Sequence, residues 1–499
     1  MNSTNSFFGH PRGLATLFFT EMWERFSYYG MRALLLLFMV GSIDEGGLGM
    51  DVKTGGAVYG LYTMFVYLLS FPGGWLADKF FGLRKSVFYG GCLITLGHFC
   101  LAFPFTESFF IGLLFIVMGT GLLKPNISSL VGELYAPTDQ AKRDAGFSIF
   151  YMGINIGATI APIITSFLGE KINWHYGFAA AGIGMLFGVI QYKVTEKNLG
   201  NAGLKPTKLS DPILQQKREK TFRSGLLIFG LFLVVFMILL LTRLITIDPV
   251  SVAKFSVYAI AGSVLIYFVY ILTFEKLDIE EKSKIKVIAM FFLASFMFYA
   301  GYEQQGSTLS LFADRYTDRL IGSFEFPAGW FQTVPAGAVI IFVPIFAWLW
   351  VWLAKRKLNP STPVKLSMGL IFMGLGYLVM MGGSMIIVAG NKALPTWLIF
   401  TYIFHTFGEI CLYPIGLSAV SKLSPKRFGG QMMGIWFMSL ALGNLVAGLF
   451  SGEFEESAIT ANPQLLVDLF QRVVIVMLVS GGLVLIVSKR LKKLMGDIH

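Results

Sequence analysis

Glu21-Met22-Trp23-Glu24-Arg25-Phe26-Ser27-Tyr28-Tyr29-Gly30-Met31-Arg32 lies inside an apolar block that runs from 14 to 41. The block is long enough to cross about 30 Å of hydrocarbon as a helix. Steps of 3, 4 and 7 residues put Glu21, Glu24, Arg25, Tyr28 and Arg32 on one helical face. At membrane depth each charge costs about 2.5–3.5 kcal/mol on insertion scales. Lipid cannot accept that face, so it must line a polar cavity built by other helices. Two acids and two bases in one buried span are a costly device if they only hold helices together. Arg25 can pair with either carboxylate, which leaves the other as a proton acceptor.

Composition agrees with a chain solvated by lipid. Hydrophobic residues make up 55% and charged residues 14%, against roughly 25% charged in soluble domains. Residues 226–241 and 481–487 show no polar stripe and need an apolar surround on every side. Cys92, Cys100 and Cys411 sit in apolar blocks without CxxC spacing and read as small buried hydrophobes. No HExxH pair, P-loop or GxSxG elbow is present, so neither a metal site nor an enzyme is expected, and no cofactor. Residues 1–13 are polar and lack a cleavable signal pattern, so the first block is expected to remain a span.

Fourteen helical blocks are expected, near 14–41, 55–77, 84–104, 107–133, 145–168, 175–195, 222–243, 253–274, 285–312, 328–354, 363–388, 395–421, 430–451 and 466–488. An even count puts both termini on one side. The loops of that side hold about 29 of the 40 basic residues, so it is the cytoplasmic face of a multi-pass protein of the cell's inner membrane. This asymmetry accounts for the net charge of +11 without a nucleic-acid partner. The expected organisation is a six-helix bundle over 1–195, a cytoplasmic linker over 196–221, an accessory two-helix hairpin over 222–284 and a second six-helix bundle over 285–499. Six plus six with a long cytoplasmic middle is the outline of the major facilitator fold.

Other spans carry charge as well. Lys124 lies in Gly119-Thr-Gly-Leu-Leu-Lys124-Pro-Asn126, Glu303 in Tyr299-Ala-Gly-Tyr302-Glu303-Gln304-Gln305-Gly306, and Glu409 in Gly408-Glu409-Ile-Cys-Leu-Tyr413-Pro414. Cations of one half (Arg25, Arg32, Lys124) and anions of the other (Glu303, Glu409) suit a zwitterion. A carboxylate would seek Arg25 and Lys124, and an ammonium would seek Glu409. Tyr28, Tyr29, Tyr67, Tyr151 and Trp436 are candidates for side-chain pockets.

At these residues the sequence resembles the proton-dependent oligopeptide transporters, a branch of the major facilitator superfamily. Glu21-x-x-Glu24-Arg25-Phe26-x-Tyr28-Tyr29-Gly30 is similar to that family's first-helix signature, and Phe150-Tyr151-x-x-Ile154-Asn155-x-Gly157 to its fifth-helix signature. Gly74-Trp-Leu-Ala-Asp78-Lys-Phe-Phe-Gly82-Leu-Arg84-Lys85 is similar to the superfamily's loop between spans two and three. The resemblance implies import of di- and tripeptides together with protons, by alternating access across the lipid bilayer. It implies that Glu21, Glu24 and Arg25 couple proton and peptide, and that Arg25 and Lys124 receive the peptide carboxylate. Asn155 and Glu409 would lie near its amino end. Glu303 would be a proton site paired with Arg32 on the outer side, and Lys124 with Glu409 would bridge the halves of an empty site. Asp78, Arg84 and Lys85 would belong to the cytoplasmic gate.

Two departures stand out. Gln332-Thr333-Val334-Pro335 has proline where the family commonly has the Asn that contacts the peptide's amino end, and a kink is expected there. Tyr299 stands where Trp is common. The alternative reading is a related symporter for another small zwitterion or anion, such as nitrate, an amino-acid derivative or a peptide-like drug.

Overall fold

The computed structural model describes residues 6–136, 138–204, 211–242 and 244–496. Five residues of the polar N-terminus, 205–210 of the expected linker, Arg243 at the end of the seventh expected span and the last three residues lie outside the described residues. The chain opens on a hairpin, β1 (Ser6–Phe7) against β2 (His10–Pro11), turning through Phe8 and Gly9 at positive φ. Then come α1 (Arg12–Val40), α2 (Val52–Leu68), α3 (Ser70–Leu76), α4 (Leu83–Leu101), α5 (Thr106–Glu133), α6 (Gln140–Lys171) and α7 (Trp174–Thr195). The middle and later chain forms α8 (Pro212–Leu241), α9 (Pro249–Thr273), α10 (Ile279–Tyr302) and α11 (Thr308–Arg315), then the hairpin β3 (Leu320–Ile321) and β4 (Phe324–Glu325). It ends with α12 (Thr333–Lys355), α13 (Thr362–Val388), α14 (Pro395–Leu423), α15 (Gly429–Ser451), α16 (Glu456–Ala461) and α17 (Gln464–Met495).

Eleven helical stretches among the described residues are long and apolar enough to cross a membrane. The other expected crossings, α1, α4 and α8, are helices of 29, 19 and 30 residues. The outer surface is apolar where a soluble protein would be charged: on α8, Leu227 is 74% and Ile228 68% exposed. The chain is an all-α, polytopic membrane protein.

Three expected spans are broken rather than straight. Between α2 and α3 the break at Leu69 is set by Pro72, which has no N–H to return to the preceding turn. A π-helical turn, Ala77–Phe81, then carries Asp78. The span expected over 285–312 stops at Tyr302, passes through the 3-10 turn Glu303–Gly306 and restarts at Thr308. The span over 328–354 begins with the 3-10 turn Ala328–Gln332. The kink expected at Pro335 is not the outcome. Pro335 is the third residue of α12, in the first turn, where a missing N–H forfeits no bond within the helix.

Contacts divide the chain into two compact units: Met1–Ser27, Leu69–Gly157 and Phe178–Val252 form the first, and Tyr28–Leu68, Ala158–Gly177 and Ala253–His499 the second. The division does not run through the linker. It crosses α1 and α6, so that their C-terminal parts group with the second half of the chain. In the first unit, Leu14, Ile94, Leu123, Leu130, Met185 and Tyr192 form one buried cluster. In the second, α2 lies directly on α15 through glycines. A Cβ on Gly448 would lie 2.5 Å from the Gly56 carbonyl oxygen and 2.5 Å from Gly60 Cα, and backbone cannot move aside as a side chain does.

Gly448→Ala is therefore expected to cost about 1–3 kcal/mol of overpacking and to lower the midpoint of thermal unfolding in detergent. Gly262→Ala, on α9 with nothing within 4 Å of the added carbon, should hold or raise it. Equal responses would contradict the contact.

Candidate transport site

The expected site residues fall in both units. In the first, α1 places Glu21, Glu24 and Arg25 at 3%, 0% and 4% exposure. Arg25 Nε lies 2.9 Å from Glu21 Oε1 and 2.6 Å from Glu24 Oε2. One guanidinium thus faces two carboxylates, and the Lys124 charge also acts on Glu24. The set is balanced only while both cations stay with it. Any anion that draws Arg25 or Lys124 away leaves one carboxylate in excess, which a proton can neutralise. Lys124 is followed by Pro125 within α5, and Asn126 Nδ2 donates to the Leu122 carbonyl at 2.6 Å beside it. Asn155 Nδ2 donates to the Tyr151 carbonyl at 2.9 Å, and the Tyr151 side chain is exposed.

The expected gate residues take different roles in the first unit. Asp78 and Lys85 are exposed. Arg84 is buried, and its Nε and Nη2 donate to the Ala202 and Gly200 carbonyls at 2.5 and 2.7 Å. It ties the end of the first six helices' chain to the start of α4.

In the second unit the C-terminal part of α1 meets the break after α10. Arg32 Nη2 lies 2.5 Å from Glu303 Oε2, and Arg32 Nε donates to Tyr59 Oη at 2.6 Å. The pair is nearly closed to solvent, with side chains 8% and 4% exposed. The broken backbone beside it is satisfied locally: Gln332 Nε2 donates to the Gln305 carbonyl and, at 2.9 Å, to Ser310 Oγ. Irregular backbone at membrane depth persists only where protein surrounds it in this way. Glu409 accepts from Tyr302 Oη at 2.6 Å. Tyr28 and Tyr29 contact edge to face with centroids 5.3 Å apart, and Tyr67 stands in the field of Glu303. Trp436 is 1% exposed, its ring against Gly416, and so is enclosed in the core of this unit.

A further set of contacts was not anticipated from sequence. Glu170, at the end of α6, accepts from the Ala328 and Gly329 N–H groups at 2.6 and 2.8 Å. Arg319 Nη1 lies 3.8 Å from the same carboxylate. Trp330 Nε1 donates to the Ile163 carbonyl at 3.0 Å and Thr333 Oγ1 to the Thr159 carbonyl at 3.0 Å. Lys171 and Glu325 form an ion pair at 3.2 Å, and Arg319 also reaches Glu325 at 3.3 Å. α6 is thus fastened, through Thr159, Ile163, Glu170 and Lys171, to the segment between Arg319 and Thr333 that leads into α12. Burial alone would raise the Glu325 carboxyl, but Arg319 and Lys171 outweigh it and hold the group below its usual range. Its pairing is present above its unfolded-state pKa and lost only as pH falls through the lower folded value.

Residues 84–465 match the family described as PTR2, POT family. An uncharacterized transporter of Bacillus subtilis, YclF, is 41% identical over 98% of this chain and 96% of its own. A di-/tripeptide transporter of Lactococcus lactis subsp. cremoris is 36% identical over 100% of this chain and 99% of its own. A crystal structure of a peptide transporter POT in complex with sulfate superposes with a TM-score of 0.88 at 39% identity, covering 98% of this chain and 97% of that one. The chain belongs to the POT family and has its major facilitator fold.

The two acid contacts of α6's end differ in burial and should differ in worth. Removing the buried Glu170 carboxylate leaves the Ala328 and Gly329 N–H groups without their acceptor, a loss of about 1–3 kcal/mol for each buried donor left unpaired. The Lys171–Glu325 pair has side chains 26% and 44% exposed, and exposed pairs of this kind contribute about 0.2–1 kcal/mol. Glu170→Ala is expected to lower the thermal midpoint far more than Lys171→Ala. Similar losses would show that Glu170 does not fasten α6.

Proposed function

We propose that this protein imports di- and tripeptides together with protons by alternating access, from a membrane crossed fourteen times with both termini in the cytoplasm. Membership of the POT family supports the reading, as does a relative named for di- and tripeptide transport. The observation that carries it is the buried Arg32–Glu303 pair, because here a titratable carboxylate is itself the fastening between α1 and α10. With Glu303 ionised, the ends of the helices on that side stay joined, which in the proposed orientation is the outer side. Protonation removes the charge that Arg32 needs, the outer ends separate, and a proton enters with the peptide.

The peptide carboxylate then goes to Arg25 and Lys124, and the amino end to Glu409 and Asn155. Drawing the cations from Glu21 and Glu24 leaves an excess acid, so peptide binding and protonation favour one another. The amino group must share Glu409 with Tyr302 Oη, its present donor. The two bundles over 1–195 and 285–499 move as the halves of the cycle, and the hairpin over 222–284 lies outside the pathway. No cofactor beyond the proton is required.

Labelled dialanine uptake into proteoliposomes, with and without an inward proton gradient, tests the function. Accumulation only with the gradient supports it, and gradient-independent equilibration contradicts coupling. Glu303→Gln fixes the uncharged form and tests the switch in the same vesicles. It should exchange labelled for unlabelled dialanine, a cycle without net proton movement, yet fail to concentrate it. Accumulation that survives in Glu303→Gln would move the coupling to Glu21 and Glu24.

A further inference from the structure

We propose that the protein binds a phosphate-bearing anion, presented by a phospholipid headgroup, in a basic pocket between the ends of α13, α14 and α17. The cavity has a volume of about 420 Å³. Lys365 of α13, Lys422 of α14 and Lys492 of α17 converge on it, with Ser361, Ser418 and Pro414. No acid is among its lining residues. Among the described residues none of the three ammonium groups has a carboxylate within ion-pair distance. Lys365 Nζ also lies 4.5 Å from the centroid of the Trp350 ring.

The pocket is separate from the transport site. At about 100° per residue, Pro414, Ser418 and Lys422 lie about 140°, 180° and 220° round α14 from Glu409. The lining therefore uses the helix face opposite the one that carries the buried acid. A bias of lysine toward one side of the membrane explains basic residues at helix ends. It does not explain three from three separate helices converging on one cavity without an acid, where they repel one another unless an anion joins them.

Phosphate chemistry fits the site. Three ammonium donors and the hydroxyls of Ser361, Thr362 and Ser418 match an acceptor with several oxygens, and point-charge lysines hold phosphate without demanding a planar partner. Basic pockets between membrane helices take anionic headgroups in the same manner. Seven residues before Lys492, on the same face of α17, Leu485 is 44% exposed. The pocket thus opens beside apolar surface, which favours a lipid over a free ion.

The test uses the full-length protein in detergent, following the thermal midpoint while phosphatidylglycerol, phosphatidylcholine or inorganic phosphate is added. Phosphatidylglycerol is expected to raise the midpoint at concentrations where phosphatidylcholine does not. Lys365→Gln/Lys422→Gln/Lys492→Gln should raise the half-saturating concentration by at least about tenfold. Ser418→Asp, which keeps every lysine and puts a negative charge in the cavity, should do the same. A phosphate-induced rise with the same dependence on these residues supports the pocket with a free anion as its source. No shift with either anion, or a phosphatidylglycerol shift that both variants retain, overturns the proposal.

Discussion

A guanidinium and a carboxylate buried together in a membrane protein are each other's solvent. Arg32 cannot leave Glu303 at 2.5 Å without either finding water or meeting a protonated partner. Much of the second compact unit is arranged around that constraint. α10 stops at Tyr302 so that Glu303 sits in a 3-10 turn, Gln332 satisfies the freed carbonyl, and Tyr59 takes the remaining face of the guanidinium. Close packing does the rest: Gly56, Gly60 and Gly448 bring α2 and α15 into backbone contact, which sets the C-terminal end of α1's neighbour against the later helices.

The fastening has two parts with different chemistry. Around Arg32 it depends on one titratable group. Between α6 and α12 it rests on backbone N–H groups donated to Glu170, on indole and hydroxyl donors, and on Glu325, whose charge persists into acid. A switch needs one weak point rather than many. In the proposed cycle the proton acts at Glu303, while the α6–α12 contacts hold the same ends by a second set of partners.

Much of this was legible in sequence because hydrocarbon imposes strict rules. Block lengths gave the helices, and the incompatibility of lipid with Glu21, Glu24, Arg25 and Arg32 pointed to an inner polar face on α1. Other features lie beyond such rules. Glu170 and Lys171 look like ordinary charges at the end of a span, and nothing local says that their partners are residues 319–329. Arg84 reads as a gate residue by its motif, yet its donors go to Gly200 and Ala202, carbonyls in a loop with no recognisable pattern. Pro335 signals a kink only if it falls inside a helix, and its position in the first turn depends on where the 3-10 segment hands over. The N-terminal hairpin, anchored by His10 Nδ1 to Tyr135 Oη at 2.9 Å, rests on a contact 125 residues away.

The central claim is that the Arg32–Glu303 pair itself holds these helix ends together. Spin labels at Ile43→Cys and Ile321→Cys, both exposed and placed in a chain with Cys92, Cys100 and Cys411 replaced by serine, report the separation directly. Pulsed dipolar spectroscopy at neutral pH should give one short-distance population with Arg32 present. With Arg32→Gln, a longer population should appear and grow at the expense of the first. An unchanged distribution in Arg32→Gln would mean that the α6–α12 contacts alone close this end, and that the ion pair is not the switch.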